Sequence, residues 1–330
     1  MHDNDDQTSL ATLEKATLVA ISPATSLNNP YIALATSDNT RRAYRHDIRH
    51  FETWGGRLPA QTAQIAQYLE AHAATFNPHT LARRLIALRH WHAYQGFADP
   101  TAHAVIQKTM KGIQRVHGKP TQKAHALTPS ELVTLHQYLA QQGTLIATRD
   151  DALIQIGFFG ALRGSELVGM RVEDITWHDA GIEILLPSSK TDPTHAGQRC
   201  VIKPGKETLC PIRALTDWLA KSGIEQGPIF TRIRKNDKIG MNSLNPLSVT
   251  AILKARAKQA GLPQVAQLSS HSLRRGFATS AALAGERLQT IMRDCRWKSP
   301  HIAMGYIEQA DQMTDHASAK ILDSINQIKT

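Results

Sequence analysis

The feature that most limits what this chain can become is a change of hydrophobic period confined to one short stretch. Between Asp174 and Lys203 the apolar residues alternate, whereas the periodic segments on either side repeat at helical spacing. Residues 175–178, 182–186 and 199–202 read as three short strands, with a turn at Asp179–Gly181 and a longer turn over 188–198 that holds Pro193 and Gly197. One small sheet inside a helical chain of 330 residues predicts a mainly α protein with a small antiparallel β-sheet.

The helical pattern begins at Ser37-Asp38. Tyr44, Ile48, Phe51 and Trp54 share one face, and Gly55-Gly56 ends the run. A second helix is expected over Thr62–Ala74, a third after Pro78 with Leu81, Leu85, Leu88 and Trp91 inward, and a fourth near Thr101–Val116. Arg41, Arg42, Arg45 and Arg49 flank the first apolar face, Arg83, Arg84 and Arg89 the third, and Lys108 and Lys111 the fourth. Residues 39–120 hold twelve Lys/Arg against four Asp/Glu, and the whole chain carries a net charge of +10. A charged face is as often merely solvated as bound to phosphate. Its concentration on successive helices favours a polyanionic partner, nucleic acid first.

Before this bundle, residues 1–36 are rich in Ser, Thr, Asn and Ala and read as a mobile tail. Their acidic start has no apolar core, so no signal peptide is read, and no apolar run is long enough for a bilayer. After it, residues 117–126 read as a linker. Thr128, Pro129 and Glu131 then supply an N-cap, a first helical residue and a capping-box acid, so a second domain starts at 127 and runs to 330. Beyond the strands, helices are expected over 212–221, 247–260, 271–284 and 287–296, with a further helix from Ser299-Pro300. Ile321, Leu322, Ile325 and Ile328 form an apolar stripe near the end. The cysteines, Cys200, Cys210 and Cys295, are odd in number without a C-x-x-C, which suggests neither a disulfide framework nor a zinc site. His46 and His50 have i, i+4 spacing but no evident third ligand, so no metal site is read there.

The chemistry concentrates in the second domain. His271 and Arg274 stand three apart, on one face of a helix, pairing a proton carrier with a bidentate phosphate clamp. Arg163 follows a buried helix over 152–159 and adds a second fork, with Glu166 three residues on to orient it or His271. Lys190 sits in the long turn, and Tyr306 offers a phenolic hydroxyl that can act as a nucleophile. Arg275 should point elsewhere on its helix. Taken singly, Arg274 reads as a phosphate contact, and Trp297 and Tyr306 as packing residues. Together they are the parts of a phosphoryl-transfer site that uses no metal.

The ordered set Arg163, Lys190, His271-x-x-Arg274, Trp297 and Tyr306 resembles the tyrosine recombinases, the phage integrase family, over roughly residues 38–330. Trp297, where most members carry His, is similar to the Cre-type branch. The resemblance implies an all-helical core-binding domain at 37–116 joined to an α+β catalytic domain. It implies a site-specific recombinase that cleaves and rejoins DNA through a 3′-phosphotyrosyl intermediate, releasing a 5′ hydroxyl, without metal, ATP or other cofactor. Arg163 and Arg274 would hold the non-bridging oxygens, Lys190 would protonate the leaving oxygen, and His271 would take the tyrosine proton or orient the phosphate. Trp297 would donate its indole N–H. Double-stranded DNA, a homo-tetramer formed on it through the C-terminal helix, and accessory DNA-bending proteins are the expected partners, in a prokaryotic cytoplasm and nucleoid. A type IB topoisomerase-like enzyme and a silent DNA-binding protein on the same fold are the alternatives.

Overall fold

A computed structural model describes residues 35–120, 122–187 and 197–314, with backbone alone from 309, together with Ile321 and Ile325. The tail over 1–34, Lys190 in the long turn, and Leu322 and Ile328 of the C-terminal stripe lie outside the described residues. The chain divides into two compact units, the first ending at Thr121 and the second starting at Gln122.

The first unit is helical: α1 (Asp38–Trp54), α2 (Thr62–His72), α3 (Pro78–Tyr94) and α4 (Ala104–His117). The Ser37 hydroxyl caps α1 by accepting from the Thr40 N–H at 3.3 Å, and Gly55 ends the helix at φ +109°, a conformation that suits a residue without Cβ. α1 packs on α3 and α2 on α4 around Phe51, Ile65, Tyr68, Leu69, Leu81, Leu88 and Ile106, all essentially inaccessible to solvent. α2 stops two residues short of the expected Ala74, and a 3-10 turn over Pro100–Ala102 precedes α4.

In the second unit α5 (Pro129–Gln142) opens with the expected capping box. The Thr128 N–H donates to the Glu131 carboxylate at 2.8 Å, and the Glu131 N–H to the Thr128 hydroxyl at 3.2 Å. α6 (Leu145–Phe159) is buried almost all round from Ala152 to Phe158, as a helix apolar on every side must be. Helices α5, α8 (Pro211–Ser222) and α10 (His271–Leu283) pack against it. The three expected strands form one antiparallel sheet with β2 (Gly181–Leu186) between β1 (Ile175–His178) and β3 (Gln198–Ile202). Ile184 faces both Ile175 and Cys200 across the ladders, so Ile182, Ile184 and Leu186 point into the core while Glu183 and Leu185 point out. A second hairpin, β4 (Thr231–Ile233) with β5 (Ile239–Ser243), was not expected from the pattern. The remaining helices are the short α7 (Gly164–Gly169), then α9 (Pro246–Gln259), α11 (Leu288–Asp294) and α12 (Pro300–Thr314). The mainly α architecture with small antiparallel sheets therefore holds.

Two details set the depth of α10. Gly276 lies against the Leu127 carbonyl, and a Cβ there would stand 2.7 Å from Phe158 Cε2. Gly276→Ala should therefore cost about 1–3 kcal/mol of overpacking. At about 2–4 °C per kcal/mol for a unit of this size, the thermal unfolding midpoint should fall by several degrees, read by circular dichroism. An unchanged midpoint would mean that the strap at Leu127 gives way freely. Behind α10, Ala161, Ala278, Ile291, Cys295 and Ala303 form a separate cluster of mostly small side chains. Their size lets α12 approach α10 closely, which carries Tyr306 to the site.

Candidate active site

The site grows from the end of α6. The chain leaves that helix at Gly160 and turns at Ala161, whose φ of +44° is costly for a residue with a Cβ. Arg163 is the N-cap of α7, and Glu166, in the first turn, reaches back to it. The Arg163 N–H donates to the Glu166 carboxylate at 2.9 Å, and its guanidinium donates to the other carboxylate oxygen. Glu166 is 2% exposed at its side chain. Burial pushes its carboxyl up. That push is outweighed by the Arg163 N–H and by the charges of Arg296 and Arg163, so the group sits below the ordinary carboxylate value and is ionised.

Two further guanidiniums converge on the same carboxylate. Arg296 donates to Glu166 at 3.3 Å and Arg274 stands 3.9 Å away. Both also anchor backbone. Arg274 donates to the carbonyls of Ala161 (2.7 Å) and Cys295, and Arg296 to those of Gly160 (3.0 Å), Ala161 (2.9 Å) and Asp294 (2.9 Å). The Ala161 carbonyl thus accepts from two arginines. Arg296 has φ +52°, so α11 ends at Asp294 and not at 296 as the pattern suggested; the left-handed residue turns the chain so that the guanidinium faces inward. Desolvation first, then the neighbouring charges of Arg163 and Arg296, lower Arg274 to about 10. Arg274 therefore stays charged at neutral pH, and three guanidiniums face one carboxylate. That excess is an electrostatic seat for an anion.

The aromatic pair stands beside this seat. Trp297 and Tyr306 stack with ring centroids 5.1 Å apart and planes 15° from parallel. The Arg274 guanidinium carbon lies 5.4 Å from the Trp297 ring centroid, and that of Arg275 lies 5.4 Å from the Tyr306 ring centroid. Burial pushes the Tyr306 phenol up, and the Arg275 charge is the largest influence opposing it. The Cys295 thiol beside them is pushed up to about 11 by burial, so it is neutral near pH 7.

With that geometry in place, the chain can be set against known proteins. Residues 125–313 match the phage integrase family, and residues 31–95 match the phage integrase N-terminal SAM-like domain. The chain is 34% identical over 290 residues to an integrase/recombinase xerD homolog of Selenomonas ruminantium, covering 85% of this chain and 84% of that one. It is 24% identical over 277 residues to the recombinase cre of Escherichia phage P1, covering 79% of each. The chain belongs to the phage integrase family. It is a tyrosine site-specific recombinase. Among solved structures, the Tn1549 transposon integrase in complex with circular intermediate DNA superposes at a TM-score of 0.61. That match has 16% identity and covers 87% of this chain and 94% of that one; it shows the shared fold.

Within this family member, the expected site residues do not all meet at one depth. Arg163, Arg274, Trp297 and Tyr306 come together, with Glu166 holding arginines. His271 opens α10 one turn before Arg274 and is exposed where Arg274 is buried, so helical spacing gives a common side without a common depth. Two residues were missed. Arg296 carried no signal in a basic chain. Arg275 was expected to point elsewhere, yet it lies against the Tyr306 ring.

The N-terminal residues need one correction. Arg84 is 4% exposed and cannot reach DNA as it stands: its guanidinium donates to the Tyr68 hydroxyl at 2.7 Å, lies 2.9 Å from His50 Nδ1, and covers the Phe76 ring. It occupies the interior because Asp47, fully buried on α1, needs positive neighbours; Arg84 Nε is 3.7 Å from it. Arg83 reaches the same carboxylate at 3.0 Å from a half-exposed position. Arg89 pairs loosely with Asp99 at 3.6 Å, and Arg41 with Asp38. Arg42, Arg45, Arg49, Lys108 and Lys111 are exposed.

Proposed function

We propose that this recombinase cleaves and rejoins double-stranded DNA through a transient phosphotyrosyl bond at Tyr306. The observation that carries the reading is the placement of a stacked, half-buried phenol beside three guanidiniums that share one carboxylate. The Tyr306 oxygen attacks a backbone phosphorus, its P–O bond forms, and the bond to the deoxyribose 5′ oxygen breaks, leaving a 3′-phosphotyrosyl link. Arg163 and Arg274 hold the non-bridging oxygens, where negative charge grows in the transition state. His271 takes the phenolic proton or orients the phosphate. Lys190 delivers a proton to the departing oxygen, because a deoxyribose alkoxide is too basic to leave unprotonated. Trp297 donates its indole N–H to a phosphate oxygen and stacks on the nucleophile. Attack by a second strand's hydroxyl on the phosphotyrosyl bond reverses the step and joins new partners, so the bond energy is kept and no ATP is used.

The exposed arginines and lysines of α1, α3 and α4 suit phosphate contacts that position the duplex without reading it. Ile321 and Ile325 are exposed, and in this reading the C-terminal stripe docks on a neighbouring subunit of a tetramer assembled on DNA. We place the enzyme on a mobile element acting in the cytoplasm. Among the described residues no helix is long and apolar enough to cross a membrane.

The test is covalent trapping in EDTA, on duplexes drawn from DNA around the protein's own gene and nicked so that the cleaved fragment diffuses away. On a denaturing gel the wild type should give a protein–DNA adduct and Tyr306→Phe none. An adduct that persists in Tyr306→Phe would assign the nucleophile to another residue. Tight binding by both proteins with no adduct would favour a silent DNA-binding protein.

A further inference from the structure

We propose that Arg275 is a positioning residue for the nucleophile: its guanidinium holds the face of the Tyr306 ring and offers a fixed positive charge as the phenolic proton leaves. The proposal rests on Tyr306 being the nucleophile. Consecutive residues on a helix diverge by about 100°. So Arg274 runs inward to Ala161 and Cys295, while Arg275 turns toward α12 and reaches the Tyr306 ring.

Three observations separate Arg275 from an ordinary surface arginine. It is half-buried, and among the described residues no carboxylate pairs with it. Its Nε is buried without a hydrogen-bond partner, a cost that a solvated arginine does not bear. Its guanidinium carbon sits 5.4 Å from the centroid of the ring whose ionisation the reaction needs. Burial opposes that ionisation. Among the described residues, the groups that act on the Tyr306 phenol are Arg275 and Arg274 on α10 and Cys295 at the end of α11; Cys295 is neutral at working pH, so of these the two arginines favour the phenolate. A cation over the ring stabilises phenolate more than phenol, and only that difference lowers the barrier. Arg275 gives up and takes no proton in the step.

Three variants test this: Arg275→Met, Arg275→Gln as a second neutral form, and Arg275→Lys, which keeps the charge. Adduct formation on the nicked duplex would be timed from pH 6 to 9.5. In parallel the Tyr306 ring of DNA-free protein, labelled at the tyrosine ζ carbon and assigned by Tyr306→Phe, would be titrated by NMR. The neutral variants should cleave about tenfold more slowly at pH 7. Their alkaline limb and their Tyr306 resonance should both move to higher pH, and Arg275→Lys should recover most of the rate. A Tyr306 titration in the neutral variants identical to wild type would overturn the proposal. So would rates lowered equally at every pH. The titration needs no DNA, so it fails or succeeds separately from the nucleophile assignment, which the Tyr306→Phe gel decides.

Discussion

Arg274→Ala should slow adduct formation about 100- to 1000-fold, the cost of removing one preorganised donor from a developing oxyanion. The same change should lower stability, because the Cys295 carbonyl loses its buried arginine donor, while that of Ala161 keeps Arg296. An unsatisfied buried group costs about 1–3 kcal/mol. The informative partner is Arg274→Lys. A lysine keeps the charge but cannot fork between the two carbonyls and still face a phosphate. Single-turnover cleavage of the nicked duplex, set beside thermal unfolding, separates the two effects. If Arg274→Lys cleaves within a fewfold of wild type, the site needs only a point charge and the bidentate argument fails.

Glu166→Gln should be the most destabilising substitution in the site. The amide keeps the shape but leaves Arg163, Arg274 and Arg296 facing one another without a counter-charge. Breaking a buried ion pair by removing one partner costs about 3–5 kcal/mol. The loss should depend on pH with a definite sign. The folded Glu166 carboxyl lies below its ordinary value, so its contribution is complete wherever an unfolded-chain glutamate is ionised. That contribution fades as pH falls through the folded value. Denaturant unfolding of wild type and Glu166→Gln should therefore differ most at neutral pH and converge in acid. Parallel curves down to the lowest accessible pH would mean that the carboxylate does not hold the three arginines together.

Much of this was legible in the sequence, for reasons that differ by residue. The three-stranded sheet could be read because Ile182, Ile184 and Leu186 alternate with outward residues on the central strand. The start of the second unit's first helix was readable because Thr128 and Glu131 bond reciprocally within one turn. Arg163, Arg274, Trp297 and Tyr306 stood out because their order resembles that of the tyrosine recombinases, a likeness that needs no coordinates. The β4–β5 hairpin did not stand out: Thr231–Ile233 is too short to show a period, and a charged turn follows it. Nor did Arg84 and Arg296. A buried arginine is defined by what surrounds it, and three of the acceptors of Arg296, on Gly160, Ala161 and Glu166, lie more than a hundred residues upstream. In a chain with 38 Lys and Arg, nothing local marks which of them turns inward.

The Ala161 carbonyl, held by both Arg274 and Arg296, joins the elbow before Arg163 to segments made much later in synthesis. Until residues 274–296 have emerged and docked, Glu166 has only Arg163 from among its three guanidinium neighbours, and the cluster is incomplete. On the proposed mechanism, a nascent or truncated chain thus carries the first arginine without the ability to cut. For a recombinase, in which a broken strand should exist only between cleavage and rejoining, this places a safeguard in the order of folding itself.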